Sequence, residues 1–125
     1  MIGGVEVKPG RDGVWRSEGF AGTIHKNGFY EGSGVVDGHP WYLHARGWRW
    51  VVAIAGPNED PVEVVFGTVP GYYHEEPHGS PEEMSLKEAW ACVTRCMVEF
   101  RAVGFNVEAG EVHDPVLRAF AGIER

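Results

Sequence analysis

At 125 residues the chain has the length of one domain, 1–125, and 43% hydrophobic residues with five Trp supply a core without disulfides or a structural metal. The formal charge of −7 is unevenly placed: residues 59–88 hold eight acids and one base, while the rest of the chain holds ten of each. Phosphate binding needs a Lys/Arg surface, so direct nucleic-acid binding is disfavoured. The lack of a secretory signal or an apolar stretch of bilayer length points to a cytoplasmic protein with no membrane contact.

The first 19 residues, with turns at Pro9-Gly10 and Asp12-Gly13, are either an edge strand or loose. From there to residue 79, glycines punctuate short apolar runs. Asn27-Gly28 and Asp37-Gly38 tolerate the positive φ of tight hairpin turns and mark two hairpins. Residues 41–55 read as one bent strand or as two strands meeting at Arg46-Gly47. There Trp48, Trp50, Val52 and Ile54 alternate with Arg49, Val51, Ala53 and Ala55. After the break at Gly56–Pro61, Val62, Val64 and Phe66 resume the alternation, which predicts another strand over 62–69.

Ser80-Pro81-Glu82-Glu83 carries a cap, a proline suited to the first helical position and a capping-box glutamate, predicting a helix over 81–103. Its apolar face is Leu86, Ala89, Trp90, Val93, Met97 and Phe100, and Gly104 is placed to end it in a left-handed conformation. Phe105 to Glu108 are expected to form a last short strand, and Asp114-Pro115 to cap a short terminal helix. The fold class is therefore α+β: an antiparallel meander of about five strands, then one long amphipathic helix packed on the sheet.

Cys92 and Cys96 sit four apart in the helical segment, a spacing that seldom suits a disulfide, and read as reduced, partly buried small hydrophobes. His74-Glu75-Glu76-Pro77-His78 matches the His-Glu-x-x-His signature of zinc proteases. That chemistry needs both histidines on one face of a helix, and Pro77 inside the motif breaks a helix, so no metal and no catalytic residue are assigned there. Tyr72-Tyr73 beside Glu75-Glu76, in an expected loop opening at Pro70-Gly71, is the leading site. Amphipathic aromatics anchor interfaces, and adjacent carboxylates steer a basic surface onto them.

The run Met84-Ser85-Leu86-Lys87-Glu88-Ala89, with Glu99-Phe100 and Gly104 after it and a Trp-containing hairpin before it, resembles small bacterial immunity proteins that neutralise deaminase or nuclease toxins. It resembles equally phage-encoded anti-defence inhibitors. The likeness covers residues 48–108, and it implies a protein that occupies its target's active site or substrate groove without chemistry of its own.

Together these features predict a non-catalytic inhibitor or adaptor with no cofactor. It would bind a basic protein partner, such as a nucleic-acid-processing enzyme, through Tyr72, Tyr73, Glu75, Glu76, Glu59 and Asp60. The rival readings are a small metal-dependent enzyme using His74 and His78, and a small-ligand binder with a Trp-lined pocket between sheet and helix.

Overall fold

Alternating side chains and tight turns build one sheet of seven antiparallel strands in chain order: β1 (Gly4–Val7), β2 (Gly13–Ser17), β3 (Phe20–Lys26), β4 (Tyr30–Val36), β5 (His39–Arg46), β6 (Arg49–Ile54) and β7 (Tyr72–Pro77). Helices α1 (Pro61–Phe66) and α2 (Leu86–Val103) complete the α+β arrangement. The structure, a computed structural model, describes residues 4–7, 13–26, 28–46, 49–78 and 84–110, with only the backbone of 4–7. The expected helix after Asp114, Trp48 and the Asn27 half of its turn lie outside the described residues. Among the described residues no helix is long and apolar enough to cross a membrane.

The count exceeds the expected five because the N-terminal segment supplies two strands, β1 pairing with β2 and β2 with β3, and residues 72–77 supply another, while the strand expected over 62–69 is replaced by α1. Asp37 and Gly38, with φ of 49° and 83°, form the two-residue turn between the paired Val36 and His39, as both positive values require. Other glycines lie inside strands and serve packing. Trp15, Gly22, Gly34 and Trp41 form one row across β2 to β5. A Cβ on Gly22 would stand 2.2 Å from the Trp41 ring, and one on Gly34 2.0 Å from the carbonyl oxygen of Ala21. The bare backbone lets the Trp41 indole lie across the sheet and donate Nε1–H to that carbonyl at 3.1 Å. Trp15, Phe20 and Trp90 of α2 pack around it, with ring centroids 5.2–6.1 Å apart.

On this inner face Trp90, Val93, Met97 and Phe100 of α2 meet Trp50, Val52 and Ile54 of β6, as the helical periodicity predicts. The helix starts later than expected. Ser85 is its cap, and the capping box closes with Glu88 at 2.7 and 3.0 Å, while residues 79–83 lie outside the described set. Both Ser80 and Ser85 precede a glutamate by three positions. Tyr30 favours the second by donating its hydroxyl to the Met84 carbonyl at 2.9 Å, which fixes the chain just before Ser85. Gly104 ends the helix at φ 74° and ψ −149°, a region open to glycine but outside the left-handed helical basin. The expected strand over 105–108 is a single bridge between Gly71 and Val107.

The outer face is covered in part by α1, where a strand was expected. Asp60 caps this helix by accepting from the Val62 N–H at 2.9 Å, Pro61 takes a first-turn position, and Gly67 closes it at φ 83° and ψ 15°. These caps override the strand preference of Val62, Val64 and Phe66. Val64 and Val65, neighbours that a strand would point in opposite directions, are both buried against Ala53 and Ala55. Strand β6 is therefore covered on both faces.

Candidate functional site

Residues 72–78, expected as a loop, belong to β7 up to Pro77. Each residue from Tyr72 to Pro77 is in register with one of β6, from Ile54 back to Arg49. The strand lies at the edge of the sheet, where a proline is tolerated because its missing N–H faces no ladder. The free side is partly closed: Asn106 accepts from the Tyr73 N–H at 2.8 Å and donates to its carbonyl at 3.1 Å. A side-chain amide thus stands in for a strand, a device that blunts an edge against unwanted pairing.

Strand geometry divides the expected cluster between two faces. Tyr72, His74 and Glu76 point toward α2, whereas Tyr73 and Glu75 point to the outer face. Tyr72 is fully buried against Phe100 and donates its hydroxyl to Glu99. Burial and then that hydrogen bond hold its pKa far above the ordinary tyrosine value. Tyr72 is consequently a core residue and not the surface anchor expected.

On the inner side His74 contacts Glu76 at 3.0 Å, and Glu76 also pairs with Arg95, whose guanidinium lies 5.3 Å from the Trp50 ring centroid. The His74 and Arg95 hydrogen bonds hold the Glu76 carboxyl below its usual range. In a zinc protease the glutamate after the first histidine serves as the base beside the metal; here that residue, Glu75, faces away from His74 across the sheet. Among the described residues no three His, Cys, Asp or Glu side chains are grouped to hold a metal. Cys92 and Cys96 are free thiols on the neighbouring face of α2, and burial raises them to about 11 and about 12. They are protonated near neutral pH and so poor nucleophiles.

Between β7 and α2 run two open cavities, of about 360 Å³ beside Tyr72, His74 and Glu99 and about 250 Å³ beside Trp50, His78 and Glu88. Glu76 and Arg95 line both, so their ion pair forms the partition.

On the outer side two tyrosine–glutamate pairs flank the middle of the sheet. Tyr73 donates to Glu75 at 2.8 Å, and Glu75 is also held by Arg49. Tyr42 of β5 donates to Glu31 of β4 at 3.0 Å. The registers place Tyr42, Ala53 and Tyr73 in one row, and Glu31, His44, Val51 and Glu75 in the next. Burial, the Glu31 carboxylate and Asp60 all push the Tyr42 pKa upward, which places Asp60 within electrostatic reach of this face. Glu59 is exposed in the turn leading to α1.

Tyr42 gives its single proton to Glu31, so the 3.1 Å contact with His44 is a donation from the His44 Nδ1–H. His44 is 5% exposed, its Nε2 has no partner, and burial lowers its pKa. Of the six expected interface residues, Tyr73, Glu75 and Asp60 thus belong to the outer side, Glu59 is exposed in the turn before α1, Glu76 joins the inner groove and Tyr72 the core. Glu31 and Tyr42 were not anticipated. The alternation Trp41-Tyr42-Leu43-His44 separates Tyr42 from the core residues, but only the pairing of β4 with β5 brings Glu31 to it.

Comparison with protein-family models, with curated proteins and with solved structures finds no match for this chain.

Proposed function

We propose that this chain is a non-catalytic binding protein, an inhibitor or adaptor, that docks a basic partner protein on the outer side of the sheet, through β4, β5 and β7 beside α1. The observation that carries this reading is the pair of phenol–carboxylate contacts, Tyr42 to Glu31 and Tyr73 to Glu75, on one sheet face close to Asp60. Half-buried tyrosines offer large, rigid contact area, and carboxylates around them favour a partner rich in Lys and Arg. Arg49 pairs with Glu75, and among the described residues no Lys or Arg forms a salt bridge with Glu31, Glu59 or Asp60, whose negative charge suits a basic partner. The reading suits both settings suggested by the sequence resemblance, an immunity protein facing a toxin or a phage protein facing a host defence nuclease.

The test is affinity capture from the native host, or from its phage-infected culture, with two baits in parallel: the wild type and a Glu31→Lys, Glu59→Lys, Glu75→Gln variant. A basic protein retained by the first and lost by the second supports the proposal. Equal retention by both baits places the interface elsewhere.

A further inference from the structure

We propose that the groove between β7 and α2 is a second binding site, on the inner side of the sheet, that takes an extended segment of a partner protein carrying arginine side chains. From Glu88 to Ala102 the α2 wall runs about 21 Å at about 1.5 Å per residue, room for about six residues of extended chain. Both ends of this stretch line the groove. The wall is largely apolar, with Ala91, Val98 and Ala102 on it and Val98 64% exposed.

The charge in the groove selects the occupant. Among the described lining residues, Glu76, Glu88 and Glu99 stand beside one guanidinium, that of Arg95, and the imidazoles of His74 and His78. Glu88 accepts from the Ser85 N–H and Glu99 from the Tyr72 hydroxyl, each through one carboxylate oxygen. A carboxylate has about four acceptor positions, so both retain capacity for a cation.

Arg95 itself shows the chemistry. Its guanidinium is held by the Glu76 carboxylate and lies against the Trp50 face, two contacts well suited to recognising an arginine. It remains 57% exposed at the partition between the two cavities. An arginine from a partner would find the same aromatic and carboxylate groups, with Arg95 as an internal competitor that swings into solvent.

That competition gives an experiment with opposite signs for opposite ligands. The intact protein is titrated, with backbone and indole N–H resonances followed by NMR, against three capped six-residue alanine peptides bearing two arginines, two citrullines or two glutamates. The arginine peptide should shift the resonances of Trp50, Arg95 and Glu99, and the neutral citrulline and acidic glutamate peptides should not. Arg95→Ala should tighten the arginine peptide by about two- to fivefold, the worth of one exposed cation–π contact. Glu99→Gln, which keeps an acceptor for Tyr72, should weaken it. Glu75→Gln, on the other face, should leave it unchanged, so the result is separable from the fate of the outer-face proposal. Weaker binding of the arginine peptide by Arg95→Ala, preference for the glutamate peptide, or no shift of groove resonances with any peptide would each overturn the assignment.

Discussion

Glu75 and Glu76 are adjacent in the chain, yet their carboxylates lie on opposite faces of the sheet, one bound to Arg49 and the other to Arg95. The division follows from the two-residue repeat of a strand. It makes two sites of what a loop would have gathered into one: a tyrosine–carboxylate surface outside and an arginine-bridged groove inside. Glu75→Gln and Glu76→Gln should therefore affect different partners, and a double variant should show the sum of the two single effects on stability. Denaturant unfolding of the three variants measures this, and strong non-additivity would mean that the two ion pairs are coupled through β7.

Phe100 is 8% exposed and packs edge-on against both Tyr72 and His39. Phe100→Ala should cost about 3–5 kcal/mol, read as a lower urea midpoint. A near-neutral result would contradict the assigned inner face of α2.

Gly22→Ala should also destabilise, because the new methyl would fall 2.2 Å from the Trp41 ring and force the indole off the sheet. Overpacking of this kind costs about 1–3 kcal/mol. The intrinsic fluorescence should change with it, since Trp41 packs on Trp90. Unaltered stability and emission would show that the ring has room to move.

His44 carries a pH signature. Its folded pKa is depressed by burial, so below the unfolded value of about 6.5 the unfolded chain binds the proton that the folded chain refuses. Stability should then fall as the pH drops from 7 through about 6.5 and toward the lower folded value. His44→Gln should flatten the curve over that interval. The carboxyls of Asp37 and Glu76, held low by Arg101 and by His74 with Arg95, contribute a separate loss at more acid pH. Parallel pH curves for wild type and variant would refute the burial of a neutral imidazole.

Much of the architecture was legible because local signals agreed with it. Asp37-Gly38 makes its turn, the α2 stripe from Trp90 to Phe100 packs as its spacing requires, and Trp50, Val52 and Ile54 share a face. The misreadings have definite causes. Asp60-Pro61 carries the same start signal as Ser80-Pro81, but alternating Val62, Val64 and Phe66 concealed it until Gly67 closed a six-residue helix. The packing role of Gly22 under the Trp41 ring, and of Gly34 against the Ala21 carbonyl, has no local sequence signal, because both depend on which strands are neighbours. At the site, Gly71 and Pro77 suggested a loop although both are compatible with the ends of an edge strand, and with strand geometry Tyr72 and Tyr73 had to part. The Glu31–Tyr42 pair follows from the register that the two-residue Asp37-Gly38 turn imposes on β4 and β5, a consequence that the turn signal alone does not display.

The central claim, that the outer face meets a basic partner, is tested most directly by association and dissociation rates of the captured partner measured across a range of salt concentrations. The wild type should associate more slowly as salt rises, and Glu31→Lys with Glu59→Lys should both slow association and flatten that dependence. Tyr73→Ala should act differently, speeding dissociation and costing about 2 kcal/mol or more in affinity. Association that ignores salt and both charge substitutions, together with dissociation indifferent to Tyr73, would contradict the account.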